Sequence, residues 1–386
     1  MTKDFNTKED DMLNLRPTLS ALAAGLALTS TATAETVLSS WLDPSQPITQ
    51  YAHQEWADAL RADTGGEIDI RLVLGGALIP AKATTQGIAD GVAQIGIVSA
   101  AYTPSELPVS NALGDMGFAT PDPMVLAFAY SDFMMNDPAG YGEWRNNGVI
   151  YGGGYSTPSY HFICREPLRT VADFNGKRIR LFGGGWARFA EGTLGAVSVN
   201  MTFGEMFTGL EHGALDCVAA DPTVLTNGPT IMELVKGYNV LPMSPYYTTA
   251  TWIYNPDFWQ DLSEQNRRAI LDASARAMVR LQVKYTVQVA ESLKAAEANG
   301  VEIIDSAEIQ AAYDDWVAAD NAAALEIAKT KFGISDPAVL FDTFQTYIDK
   351  WSMLLEGVNQ TDEDAVTAVV KANLYDKIDV ATYGMK

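Results

Sequence analysis

The sequence is short of the residues that build metal centres and thiol chemistry. Two cysteines and three histidines occur in 386 residues, with no CxxC pair and no Cys/His cluster. His53, His161 and His212 stand at spacings that match no zinc-ligand signature, which argues against a metal enzyme and a metal site. Positive charge is also scarce: 26 Lys and Arg face 48 Asp and Glu, for a formal net charge of −22. Phosphate backbones demand clustered cations, so this balance excludes a nucleic-acid partner. Beyond the N-terminal region, no segment is apolar enough to span a bilayer. What the chain does have is hydrophobic residues, at 47% against 19% charged, enough to core two ordinary domains or one large bilobed one.

The N-terminus carries a compartment signal. After Arg16 comes LSALAAGLALTSTATA, an apolar run that closes on the small residues Ala32-Thr33-Ala34. This is the layout of a secretory signal peptide, with residues 1–34 removed by cleavage after Ala34. Met12 is an alternative start, because the first eleven residues are acidic for a leader; an amphipathic first helix is the competing reading. An exported chain meets oxidising conditions. There Cys164 and Cys217, both in strand-like segments, are compatible with a disulfide or with two buried thiols.

The mature chain alternates strand and helix patterns. TVLSSW reads as a first strand, SQPITQYAHQEWADALRADTGG as a helix, EIDIRLVL as a strand, and ALIPAKATTQGIADGVAQIGIVS as helix, glycine turn and buried strand. The same order returns in NGKRIRLF, GGWARFAEGTLGA, VSVNMT and FGEMFTGLEHGALDCVAAD. The pair QGIADGVAQIGIVS and TGLEHGALDCVAAD shares a helix end, a turn at Gly91 or Gly213, and an apolar strand. Two such units predict an α/β protein with two lobes of related topology. Ligands in open α/β sheets sit beyond the carboxyl ends of strands, so the expected site is the cleft between the lobes. From Leu262 one helical pattern of about 35 residues runs without a sustained heptad seam, as expected for a helix bracing both lobes. Further helices follow in SAEIQAAYDDWVAADNAAALEIAKT and PAVLFDTFQTYIDKWSMLLEG.

No catalytic signature survives inspection. Gly183-Gly184-Gly185 lacks the Lys and Ser/Thr of a phosphate loop, and Arg188 stands where a dinucleotide fingerprint needs its third glycine. Gly154-Tyr155-Ser156-Thr157-Pro158 ends in proline where a nucleophile elbow ends in glycine. Asp216 and Asp221 have no partner acid or histidine in the pattern. The glycines leave two readings, a plain turn or a bare helix N-terminus open to an anion. Arg180 also has two: a structural ion pair, or a guanidinium at the carboxyl end of KRIRLF that grips a carboxylate bidentately. Aromatic residues gather where the cleft is expected. Trp41, Tyr102, Tyr155, Tyr246 and Tyr247 lie at strand ends, edges or crossovers, and Tyr160 closes the segment YGGGYSTPSY; about half of such positions are core packing and the rest line an apolar pocket. Trp186 either covers the ligand or packs its helix.

The run FNGKRIRLFGGGWARFAEGTLGAVSVNMTFGEMFTGLEHGALDCVAADP resembles the periplasmic solute-binding subunits of tripartite ATP-independent periplasmic (TRAP) transporters, the DctP-like family. Gly176, Arg180, Gly195, Phe203, Gly204, Glu205, Leu210, Gly213 and Asp216 fall on the landmarks of that family. The resemblance implies a bilobed periplasmic-binding-protein fold with an interlobe cleft, no cofactor and no catalysis. A small organic acid is held there and presented to the TRAP membrane permease subunits. It places lobe I at 35–157 plus 249–289 and lobe II at 158–248 plus 290–386. Arg180 falls on the arginine that pairs with the ligand carboxylate, and Asp221 lies beside a polar ligand-contact position, one inserted residue away. Tyr160 stands where dicarboxylate and sialic-acid binders place a second base, which favours a monocarboxylate or a zwitterion. An exported α/β hydrolase and a sensor docking on a membrane receptor are the alternatives.

Overall fold

The computed structural model describes residues 35–385 apart from 182–183 and 228–229. The leader, its cleavage point at Ala34 and the first of the three glycines, Gly183, therefore lie outside the described residues. Residues 35–386 cluster as one compact unit.

Two sheets organise that unit. The first is built from β1 (Thr36–Ser39), β2 (Ile70–Val73), β3 (Ile95–Ser99) and β4 (Ile150–Gly153), with β11 (Thr249–Tyr254) returning late in the chain. Its order is β2-β1-β3-β11-β4, with β1 parallel to both neighbours and β11 antiparallel to both of its own. The second sheet holds β5 (Ser159–Cys164), β6 (Arg178–Arg180), β7 (Val197–Val199), β8 (Cys217–Ala220), β9 (Gly237–Asn239), β10 (Met243–Pro245) and β12 (Glu302–Ile304). It runs β12-β9-β5-β8-β6-β7, with β10 pairing on β5. Strands β6, β7 and β8 are parallel, and β5 runs against β8. The bilobed α/β expectation holds at this level, including the paired helix-turn-strand units. Gly91 and Gly213 both take positive φ, 75° and 69°, at the turns that feed β3 and β8.

The chain crosses between the sheets at 154–158 and 246–248. The two crossings are tied together: Thr157 N donates to the Tyr246 carbonyl at 2.9 Å, and Tyr246 N donates to Thr157 Oγ1 at 3.0 Å. A third link is the helix Glu264–Ala298, 35 residues long and capped by Ser263, whose side chain accepts from Asn266 N. Its buried stripe runs in the first core to Tyr285, and Ala296 near its end packs in a second-sheet core with Val301.

The C-terminal helices depart from the sequence division, which grouped 290–386 with the second sheet. Helix Pro337–Leu355 buries Phe344 against Phe133 at 5.6 Å between rings, and Trp351 against Phe128 at 5.2 Å. Val366 and Val370 of helix Glu363–Asn373 join the same core as β1, β3 and β11. An amphipathic stripe specifies that one face is covered but not which sheet covers it.

Cys164 and Cys217 are in register on β5 and β8 and form a disulfide, closing one of the alternatives left open by the sequence. Among the described residues no helix is long and apolar enough to cross a membrane, and no cluster of His, Cys, Asp or Glu is arranged to hold a metal ion.

Candidate functional site

The parallel strands of both sheets end at one cavity. Trp41 lies just past β1, Ser99 closes β3, Arg180 closes β6 and Asp221 follows β8; all four line it. The interstrand crossings contribute Tyr155, Thr157 and Tyr246, the start of β5 contributes Tyr160, and the long helix contributes Tyr285. The cavity is narrow, about 40 Å³, with room for little more than a few waters.

Arg180 is 1% exposed. Its Nε donates to the Met201 carbonyl at 3.1 Å, and its charge and a hydrogen bond act on the Tyr102 hydroxyl. Burial pushes that hydroxyl up to about 12, with the Arg180 charge pulling the other way. Tyr102 also spans the two sheets, because its hydroxyl accepts from Phe203 N at 3.0 Å, and Trp41 packs edge-on against its ring at 5.4 Å. Tyr246 is pinned by its own hydroxyl, 2.6 Å from Ser99 Oγ and accepting from Ala101 N at 3.1 Å. These links fix the cavity wall before any ligand enters.

Asp221 is 6% exposed and caps the short turn Pro222–Leu225. Its Oδ1 accepts from Thr223 N at 3.0 Å and Thr223 Oγ1 at 2.5 Å. Burial nevertheless raises its carboxyl to about 6, with the Thr223 hydrogen bonds opposing. A carboxylate that is ionised at neutral pH thus shares the cavity with a buried guanidinium.

Two expected site residues lie elsewhere. Tyr247 sits in the first core, its hydroxyl donating to the Leu113 carbonyl and its ring stacked on Phe344 at 5.9 Å. Tyr246 lines the cavity, and its neighbour Tyr247 is packed in the first core. Trp186 stands behind the wall, stacked on Tyr160 at 5.5 Å.

The glycine turn also acts differently from the open anion cradle that the sequence allowed. Gly185 N donates to Asp115 Oδ1 at 2.7 Å, and Arg188 one turn later binds Asp115 and Asp320. The helix Gly184–Gly192 therefore has one of this chain's own carboxylates at its N-terminus. Gly185 is required by close approach, since a Cβ there would meet the Phe118 ring at 2.4 Å. A larger cavity of about 330 Å³ opens beside Asp115, Asp320 and Asp342, and the first two of these acids are already bound by Arg188. Asp216 has a partner as well, in a bidentate pair with Arg178 at 2.9 Å on each arm.

The sequence reading missed Gln46 and Tyr285. Gln46 is 5% exposed on the cavity wall, and its Nε2 finds no acceptor among the described residues. It lies in the polar loop before the π-helical turn Ile48–Gln54, where no periodic signal marks it. Tyr285 falls on the buried stripe of the long helix and reads as core.

A two-sheet α/β protein with a closed aromatic cavity at the carboxyl ends of both sets of parallel strands, holding a buried cation, is built to enclose a small solute. The chain belongs to the bacterial extracellular solute-binding proteins of family 7, the DctP family, matched over residues 38–322. A solute-binding protein of Roseobacter denitrificans is 29% identical over 170 residues, which is 42% of this chain and 49% of that protein. The chain thus aligns with about half the length of that curated relative. Among solved structures, a TRAP periplasmic solute-binding protein from Bordetella bronchiseptica with bound (R)- and (S)-mandelate is 21% identical, covering 82% of this chain and 99% of the other, at a TM-score of 0.70. One from Rhodoferax ferrireducens in complex with copurified benzoate is 20% identical, covering 83% and 99%, at 0.70. One from Chromohalobacter salexigens with bound D-glucuronate is 15% identical, covering 81% and 100%, at 0.68. At these identities the likeness is one of fold.

Proposed function

We propose that this protein captures an organic acid bearing one carboxylate in the cavity and hands it unchanged to the membrane permease of a TRAP transporter, working in the periplasm. The observation that carries the reading is Arg180, a fully buried guanidinium at the end of β6 in the wall of a closed aromatic cavity. A guanidinium offers a carboxylate two parallel, charge-assisted hydrogen bonds. The Gln46 amide supplies a donor from the first sheet's side, so that one carboxylate draws on both sheets. A buried donor left without an acceptor costs about 1–3 kcal/mol, which a ligand oxygen removes.

The reading is supported by the solved relatives, since mandelate, benzoate and glucuronate each carry a single carboxylate. It is also supported by Tyr160, a neutral residue at the position where a second base would serve a dicarboxylate. The lobes that close over the ligand are 35–157 with 249–289, and 158–248; the helices Pro337–Leu355 and Glu363–Asn373 join the first, and the helix Ala307–Thr330 packs on both, with Ile309 and Tyr313 in a second-sheet core and Ala324 and Ala328 in the first.

Thermal denaturation in the presence of an organic-acid panel tests this. A binder at a hundred times its Kd adds about 2.7 kcal/mol to stability. At least one monocarboxylate is expected to raise the transition, and Arg180→Ala is expected to abolish the shift. A shift of equal size in that variant would reject the assignment.

A further inference from the structure

The two ends of the cavity carry opposite charges. The strand register pairs Arg180 with Val218, and Asp221 lies three residues further along. At 3.3 Å per residue that puts the Asp221 backbone about 10 Å beyond the Arg180 level. The guanidinium and the carboxylate face one enclosed space, and the Asp221 hydrogen bonds described above both fall on Oδ1. Around the acid stand tyrosine rings from separate elements: Tyr155, Tyr160 and Tyr285 line the cavity with it, and Tyr238 lies within its electrostatic reach.

From this arrangement we propose that the ligand is a zwitterion, its carboxylate on Arg180 and its cationic nitrogen seated between the Asp221 carboxylate and the faces of Tyr155, Tyr160 and Tyr285. The inference rests on the reading of Arg180 as a carboxylate site and adds the chemistry of the other end. Charge balance supports it first. With Arg180 and Asp221 both ionised the empty cavity is neutral, and a monoanion would leave one uncompensated negative charge in a closed, low-dielectric space. A zwitterion leaves none. The tyrosines that line the cavity with Asp221 support it next, because aromatic rings attract onium groups and the attraction grows when water is excluded. Asp221 then acts as a specificity residue: it rewards a cation and penalises an acid of the same shape without one.

Binding of this kind carries a pH signature. A cation beside Asp221 requires the ionised acid, so affinity is flat near pH 8 and falls below about pH 6, tending to tenfold per unit. His161, beside Ala220 on the neighbouring strand, is held down at about 4 by burial and stays neutral through that window. The surrounding tyrosines are raised by burial and stay neutral there too.

Matched probes test it on the full secreted protein. Titration calorimetry at pH 8 would compare N-methylnicotinate with 3-methylbenzoate, and glycine betaine with 3,3-dimethylbutanoate; within each pair the shape is kept and the positive charge is not. The zwitterion of the better-fitting pair is expected to bind at least tenfold more tightly. Asp221→Asn is expected to erase that preference, and Arg180→Lys to weaken both members. An analogue without the positive charge that binds equally well in the wild type, or a preference that survives Asp221→Asn, overturns the zwitterion while leaving the carboxylate reading intact. Insensitivity of both members to Arg180→Lys overturns the carboxylate reading itself. Mass spectrometry of the molecule released on denaturation is an independent test of both. A carboxylate with a cationic nitrogen supports both readings, an acid without one overturns the zwitterion, and a molecule without a carboxylate overturns both.

Discussion

Arg180 and Arg188 lie either side of the glycine turn, and the chain uses them for opposite ends. Arg188 is gripped by two carboxylates, Asp115 and Asp320, and with Gly185 it fastens the segment Gly114–Ala119 and the helix Ala307–Thr330 to the helix Gly184–Gly192. Arg180 meets the Met201 carbonyl and the Tyr102 hydroxyl in a cavity wall that it shares with Asp221. Arg188 holds two carboxylates and fastens structure, whereas Arg180 lines the cavity, where its proposed role is to receive the carboxylate of a ligand. Spacing along the sequence does not separate the two cases, because the acids that engage Arg188 come from 73 and 132 residues away.

The contrast can be broken in order of size. Arg180→Ala should lower affinity for the best organic acid by a hundredfold or more, about 3–5 kcal/mol, while changing ligand-free stability little; calorimetry with parallel thermal melts reads both. Arg188→Met should do the reverse. Two buried acids then lose their cation, which costs about 3 kcal/mol of stability in denaturant titrations and a smaller factor in affinity. If both variants lost affinity and stability in proportion, the division of labour would fail.

Asp221→Asn should stabilise the ligand-free protein at pH 8 by about 2 kcal/mol, since an ionised carboxylate no longer has to be buried. Its sign follows from the direction of the shift. The folded-state value, about 6, lies above the ordinary 3.8, so the burial cost is present in full above pH 6 and disappears as the pH falls towards 4. Glu143, raised by burial to about 7, acts in the same direction, which makes the difference between wild type and Asp221→Asn the quantity to follow from pH 8 to pH 4. That difference should shrink to near zero at the acid end. The smallest effect belongs to Tyr247→Phe, expected to cost about 1 kcal/mol of stability for the lost hydrogen bond and to leave ligand affinity untouched.

Much of the fold and part of the site were readable from local pattern. Strand alternation and glycine turns marked β1, β3, β6 and β8, and their carboxyl ends brought Trp41, Tyr102, Arg180 and Asp221 to one place. The 35-residue helix was legible from its length alone. Other parts left no local trace. Helix Pro123–Asn136 is buried from Met124 to Met135 on every side, so it shows no stripe to find. The anion at Gly185 is a side chain seventy residues earlier in sequence. Tyr246 and Tyr247 are chemically identical neighbours, yet one lines the cavity and the other packs in the core.

The most direct test of Arg180 as the carboxylate site is a crystal structure of the protein with the acid that stabilises it most. A carboxylate is expected in the cavity with both oxygens about 2.7–2.9 Å from the Arg180 guanidinium nitrogens. A ligand bound with its carboxylate directed away from Arg180, or seated in the open cavity beside Asp115 and Asp320, would contradict it.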